Sequence, residues 1–168
     1  GFRGLRHATG IGAIVVGLAF TAGGCGNENL SADAHVAKAE ESIAAGDLRA
    51  SVIEFKNAIQ RNPQDPKARL LLGTTYLALG DPTSAEKELM RARELGAAAQ
   101  DVLVPLSQAW NDQGAYEKTL KEPAPDDAAP GQHRTRALVV RGLAHLGLGQ
   151  PEAAQAALDK ALAITPDD

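Results

Sequence analysis

The chain of 168 residues is poor in cysteine and in aromatic side chains, with one cysteine, one tryptophan and 4% aromatic residues in all. A single cysteine excludes an internal disulfide. The scarcity of aromatic residues disfavours a β-sandwich or another aromatic-rich core, and the abundance of small residues favours closely packed helices. The formal net charge of −4 offers no overall basic field, so we predict no nucleic-acid partner.

Motifs for catalysis and metal binding are also lacking. The four histidines form no pair at i, i+4, and no group of residues has zinc-ligand spacing. There is no phosphate-binding loop and no Gly-x-Ser-x-Gly nucleophile elbow. The stretch Ser84-Ala85-Glu86-Lys87 matches Ser-x-x-Lys, but the companion motifs of penicillin-binding enzymes are absent. We therefore predict no enzyme activity, no metal, no cofactor and no small-molecule substrate.

What the chain does contain is an internal repeat. Gly46-Asp47-Leu48 is followed 34 residues later by Gly80-Asp81-Pro82, and the pattern recurs at Gly114 and, one residue longer, at Gly149. A helical repeat of this period is typical of the tetratricopeptide repeat, in which helix pairs bury their apolar faces by stacking on neighbouring pairs. The repeat predicts an all-α fold, a right-handed superhelix of the α-α solenoid class.

The period divides the predicted array, residues 32–168, into four units: 32–65, 66–99, 100–134 and 135–168. The second unit is the clearest example. We expect Gly73 and Ala85 to lie where its two helices cross, with Tyr76 and Leu89 filling the space on either side. Gly80 should end the first helix as a C-cap, and Pro82 suits the first turn of the second.

The third unit departs from the pattern. Thr119 replaces the small residue of the helix crossing, and Pro123, Pro125 and Pro130 should break the second helix. Two interpretations stay open: a hinged joint that exposes a partner site, or a degenerate unit with a surface loop.

No polar capping helix follows the fourth unit. We expect Ala154, Ala161 and Leu162 to leave its outer face partly bare, and the array to continue beyond residue 168.

The amino-terminal segment has the pattern of an export signal. Arg3 and Arg6 precede an apolar run at 11–20, which is short for a membrane-spanning helix. Ala22-Gly23-Gly24-Cys25 resembles a bacterial lipobox, which predicts a signal peptide at 1–24 and a lipidated Cys25 opening a polar linker at 25–31. The alternative is an ordinary signal peptide, or an uncleaved anchor, with Cys25 incidental. Acyl chains on Cys25 would hold the protein on a membrane surface without a spanning segment.

The candidate functional surface is the groove formed by stacked first helices. Resemblance to tetratricopeptide-repeat domains implies that residues at fixed places on each first helix line it, and that the lining suits an extended peptide or a partner helix. The alternative is that these residues merely face water. They are Lys67, Leu70, Thr74, Leu77 and Ala78 in the second unit, and Asp101, Val104, Gln108, Asn111 and Asp112 in the third.

Four sequence segments indicate a narrower family. They follow a lipobox-like signal, and the combination resembles the TPR-repeat lipoprotein of the PEP-CTERM/exosortase system. The segments are residues 46–58, 68–73, 80–89 and 93–96. The resemblance implies a protein-interaction scaffold in the envelope of a Gram-negative bacterium, serving protein sorting and exopolysaccharide-associated assembly. It would be an outer-membrane lipoprotein facing the periplasm, or be anchored at the inner membrane. Gly26, after the cysteine, favours the outer membrane.

Two other functions are compatible with the sequence. One is an assembly factor for outer-membrane proteins, secretins or pili. The other is the non-catalytic arm of a larger envelope enzyme.

Overall fold

The computed structural model describes residues 30–125 and 131–164. The predicted signal peptide and Cys25 lie outside the described residues. Eight helices make up the described part of the chain, which contains no strand, and the predicted all-α class is confirmed. They are α1 (Ala32–Ala44), α2 (Leu48–Arg61), α3 (Pro66–Ala78), α4 (Pro82–Glu94), α5 (Ala99–Asp112), α6 (Tyr116–Lys121), α7 (Gly131–Gly147) and α8 (Pro151–Ile164).

The helices form four successive hairpins, α1/α2, α3/α4, α5/α6 and α7/α8, and each second helix also packs on the first helix of the next hairpin. The first helices α3 and α5 contact each other, and so do α5 and α7, whereas the second helices make no contact of comparable extent in the described residues. An array in which one set of helices touches and the other is spread apart is curved, with the touching set inside. We call the exposed face of α1, α3, α5 and α7 the inner wall.

Aspartates begin the middle helices. The side chains of Asp47, Asp65 and Asp81 accept hydrogen bonds from backbone N–H groups of the first turns of α2, α3 and α4, at 2.8–3.2 Å. Each cap provides a partner for backbone N–H groups that have none within the helix. Hydrogen bonds from the Ser84 side chain and backbone lower the pKa of Asp81.

Gly80 ends α3 as predicted. Its φ of 73° lies in the left-handed region, where a side chain would be strained. The N–H of Asp81 donates to the carbonyl of Tyr76 and the N–H of Gly80 to that of Leu77, both at 2.9 Å. This is a Schellman motif, and it turns the chain directly into α4.

The predicted helix crossing of the second unit is confirmed. A Cβ atom added to Gly73 would lie 2.6 Å from Cγ of Leu89, which is fully buried. Ala85 and Ala92 are also fully buried on α4. Helix α3 can therefore approach α4 this closely only because Gly73 has no side chain.

The third unit has the shortened second helix that its prolines predict. α6 ends at Lys121 after six residues, whereas α4 has 13. Thr119, in place of a small residue, is buried, and its hydroxyl lies 3.1 Å from the carbonyl oxygen of Ser107 and 2.8 Å from Oδ1 of Asn111. The threonine is therefore accommodated because α5 supplies polar partners for it.

The fourth unit differs from expectation in two places. Ala154 and Ala161 are 1% and 3% exposed on α8, which packs against α7, so the prediction that they leave the outer face partly bare is wrong. Leu162 is exposed, as predicted. α7 begins at Gly131, before the predicted unit boundary at residue 135.

Replacing Gly73 by valine should destabilise the array by about 2–3 kcal/mol, because the new side chain would collide with Leu89. Chemical denaturation followed by circular dichroism measures the loss. Gly142→Ala is the matched control: its Cβ would meet Leu158 at 3.0 Å, and Leu158 is only partly buried and can move. A loss for Gly73→Val no larger than for Gly142→Ala would contradict the close crossing.

Candidate partner-binding groove

Two of the predicted groove leucines bury part of their side-chain surface against the next first helix. Leu70 and Leu77 on α3 are half-buried and pack against the buried cluster that contains Leu106 and Trp110 of α5. They therefore hold α5 against α3 and present only part of their surface to the inner wall.

The other predicted residues of the second unit are more open. Lys67 is exposed, and its Nζ lies 3.4 Å from a carboxylate oxygen of Glu40, which bridges α3 to α1. The hydroxyl of half-buried Thr74 donates to the carbonyl of Leu71 on the same helix. Ala78 is exposed at the end of α3. This part of the wall is accessible and mildly polar.

In the third unit the predicted residues separate into two groups. Asp101, Gln108 and Asp112 are exposed. Asn111 instead donates from Nδ2 to the carbonyl oxygen of Val140 at 2.8 Å, and so ties α5 to α7. Val104 is half-buried and lines a cleft. Gln108 is thus an exposed predicted residue within α5, whereas Asp101 and Asp112 lie near its two ends.

The corresponding residues of the fourth unit are not among the predicted groove residues. Val139, Leu143 and Leu146 on α7 occupy the places that Leu70, Thr74 and Leu77 occupy on α3, and all three are exposed. We call these three residues the α7 ridge. Extending the same repeat positions by one more unit would have identified them.

A cleft of about 690 Å³ lies where the second helix of the third unit stops short. Its floor is apolar and includes Leu103, Leu106 and Ala137. One lip is the segment 122–125, which two arginines fix: Arg93 pairs with the Glu122 carboxylate at 2.8 Å, and Arg141 donates to the Glu122 carbonyl oxygen at 2.9 Å. A cleft of this size could accept a few side chains of a partner.

A polar hub joins the second and third units. Glu86 on α4 accepts hydrogen bonds from Trp110 Nε1 on α5 and from Lys118 Nζ on α6, both at 2.7 Å, and from Gln113 Nε2 at 2.9 Å. Partial burial raises the pKa of Glu86, but the hydrogen bonds from Lys118, Trp110 and Gln113 together outweigh this, and the pKa lies below its ordinary value. The hub thus stabilises the charged carboxylate and fixes α5 and α6 on α4.

Comparison with known protein families identifies the same repeat as the sequence pattern and the stacked hairpins. Family models described as tetratricopeptide repeat match residues 42–103 and 135–168, which together are more than half of the chain. The chain belongs to the tetratricopeptide-repeat family.

Comparison with whole proteins also identifies a relative that is described as a TPR protein. The TPR repeat-containing protein YpiA of Bacillus subtilis (strain 168) is 27% identical over 132 residues, which are 79% of this chain and 31% of that protein. This TPR chain therefore spans about a third of the length of the curated relative it matches.

Solved structures share the architecture at low identity. MamA (41-end) from Desulfovibrio magneticus RS-1 superposes with a TM-score of 0.68 at 17% identity, covering 82% of this chain and 77% of that one. PilF of Pseudomonas aeruginosa gives 0.68 at 20%, covering 82% and 62%. YrrB, "a TPR protein with an unusual peptide-binding site", gives 0.66 at 20%, covering 81% and 70%. These likenesses establish the TPR solenoid fold.

Two of the described histidines, His35 and His145, have structural partners. His35 is buried, and its Nδ1 lies 2.6 Å from a carboxylate oxygen of Glu54 on α2. His145 Nδ1 lies 2.8 Å from the amide oxygen of Gln150. Within residues 30–125 and 131–164 no group of three or more His, Cys, Asp or Glu side chains is arranged to hold a metal ion, and no helix is long and apolar enough to cross a membrane.

The Glu86 hub predicts a pH dependence. Because the folded pKa of Glu86 is lowered, its contribution is fully present above its ordinary pKa near 4.5 and is lost as the pH falls through the folded value. Glu86→Gln should lower stability at pH 7 by about 1 kcal/mol, and the difference from wild type should shrink on acidification. Urea denaturation at pH 7 and pH 3 measures both effects.

Glu94→Gln is the control for that experiment, since the Arg91–Glu94 pair is well exposed and its loss should have little effect. A Glu86→Gln variant that is equally destabilised at both pH values would show that the carboxylate charge is unimportant to the hub.

Proposed function

We propose that this TPR array is a protein-interaction scaffold that a lipid on Cys25 holds at a membrane surface in the bacterial envelope, and that its inner wall receives a peptide or helix of a partner protein. The observation that carries the proposal is the inner wall itself. It presents exposed side chains from successive parallel first helices, including Ala78, Gln108 and Leu143, on a frame whose core is closed by other residues.

The physical basis is preorganisation. The hub at Glu86 and the Asn111–Val140 hydrogen bond fix the first helices relative to one another before any partner arrives. A partner that docks on a fixed wall loses its own conformational freedom but does not have to order the receptor. The peptide-binding site named for YrrB, which shares the fold, supports the same use of a TPR surface.

The tether rests on the sequence. Arg3, Arg6 and the apolar run at 11–20 precede the lipobox-like Ala22-Gly23-Gly24-Cys25, and a polar stretch separates the cysteine from α1. Two or more acyl chains give stable membrane anchoring, which would keep the array within reach of envelope partners.

The narrower role we propose is in PEP-CTERM/exosortase-linked protein sorting and exopolysaccharide-associated envelope assembly. Its support is the set of sequence segments between residues 46 and 96 that resemble this family and that follow the lipobox-like signal. Genes for an exosortase beside the gene for this protein would support this role, whereas neighbouring pilus or secretin genes would indicate an assembly factor instead.

Cys25→Ala should abolish incorporation of radiolabelled palmitate and move the protein from the membrane fraction to the soluble fraction, because the thioether-linked acyl chains are lost. Cell fractionation and autoradiography measure the two effects. Thr21→Ala, in the same segment, is the control and should leave both unchanged. Unlabelled wild-type protein would contradict the tether.

Gln108→Arg combined with Ala78→Arg should reduce recovery of groove partners from envelope extract by about tenfold or more, because two bulky charges would obstruct the inner wall. Both residues are exposed, so the melting temperature should change little. The matched control is Ile53→Arg, an exposed position on α2 outside the inner wall. Equal partner recovery with the double variant and with wild type would contradict use of the groove.

A further inference from the structure

In the first two units, a large residue of the second helix packs between its own first helix and the next one. Phe55 of α2 shares a buried cluster with residues of α1 and α3. Leu89 of α4 lies between Gly73 of α3 and the buried cluster on α5. An alanine three residues later, Ala58 or Ala92, is also fully buried. This pair of residues, one large and one small, therefore completes the interface between successive first helices.

The third unit leaves the same interface open. The repeat places Pro123 and Asp126 where the large and the small residue would be. α6 ends at Lys121 after six residues, whereas α4 has 13, so about two turns of helix are missing. The cleft of about 690 Å³ lies at that place, because the first halves of α5 and α7 line it, with Leu103 and Ala137 among the apolar residues. The cleft thus continues an interface that second helices fill in the first two units.

Polar contacts hold α6 at its short length. Pro123 has no N–H to donate to the carbonyl oxygen of Thr119, four residues earlier. The Arg141 guanidinium donates to this oxygen at 3.4 Å and to the carbonyl oxygen of Glu122 at 2.9 Å. Arg93 pairs with the Glu122 carboxylate at 2.8 Å. The lip of the cleft is therefore fixed before any partner arrives, which lowers the cost of binding.

We propose that this cleft binds a two-turn helical segment of a partner protein, which supplies in trans the side chains that the second helix of the third unit lacks. The segment has a large aliphatic or aromatic residue followed three residues later by alanine, like Leu89 and Ala92 of α4. Such residues share one face of a helix, and they would pack between α5 and α7 as α4 packs between α3 and α5. The site lies on the side of the second helices, so the inference goes beyond the proposed use of the inner wall.

A peptide with the sequence of residues 82–95, which include α4, is the probe. A lactam bridge on the face opposite Leu89 holds the peptide helical, and a second peptide carries Leu89→Asp. Titration of the full chain with each labelled peptide is followed by fluorescence anisotropy. Binding should be at least about tenfold tighter for the leucine peptide, because burial of one leucine contributes that much.

Two single variants of the chain locate the binding. Leu103→Gln, which makes the floor of the cleft polar, should weaken the leucine peptide by about fivefold to tenfold. Ala99→Glu puts a charged side chain at an exposed position that lines the cleft and should weaken binding similarly, while an acidic residue in the first turn of α5 is compatible with the fold. Ile53→Gln, at an exposed apolar residue on α2, is the matched control and should change binding by less than about twofold.

Three results would overturn the inference. One is that the leucine peptide does not bind, or binds no more tightly than the aspartate peptide. Another is loss of binding in the double variant Gln108→Arg with Ala78→Arg, which would place the peptide on the inner wall. The third is binding that becomes more than about tenfold tighter when residues 126–129, which lie outside the described residues, are replaced by Gly-Ser-Gly-Ser. The chain's own segment would then be the occupant of the cleft.

Discussion

The array depends on the burial of each helix pair against the next one, because no pair has enough apolar surface of its own. Phe55 and Leu72, for example, are buried in one cluster although they belong to different units. The consequence is a structure in which every unit fixes the orientation of its neighbours. A surface that runs along several units can then act as one rigid template, which is what a partner-binding wall requires.

Polar contacts supplement the apolar packing at the third unit. The third unit has a six-residue second helix, so it buries less surface than the others. Glu86, Arg93 and Asn111 supply hydrogen bonds and ion pairs across its borders with the second and fourth units. The shortened helix also creates the cleft beside Val104. The same departure from the repeat therefore reduces the apolar packing of the third unit and adds an accessible cleft.

Much of the fold could be predicted from the sequence, because repeat spacing, glycine turns and small residues at crossings act locally. Gly73 and Gly80 have the structural roles that their residue types indicate, and α6 ends just before Pro123. Ala154 and Ala161 show the limit of such reasoning: alanine is compatible with a bare face or a close crossing, and only the position of α7 decides between them.

The site was less accessible to sequence reasoning than the fold. Repeat positions indicate which residues belong to the inner wall, but they cannot show how much of each side chain is consumed by packing. Leu77 and Asn111 prove to be engaged with neighbouring helices, whereas Gln108 is open.

The ends of α6 are fixed by groups that lie outside its own unit, namely Glu86 and Arg93 from the preceding unit and Arg141 from the following one. During synthesis the amino-terminal half of the array can therefore fold as the chain emerges, while the third unit waits for α7. Nascent chains that end before Arg141 would expose the apolar floor of the cleft, and chaperones and proteases should recognise such incomplete chains at this joint.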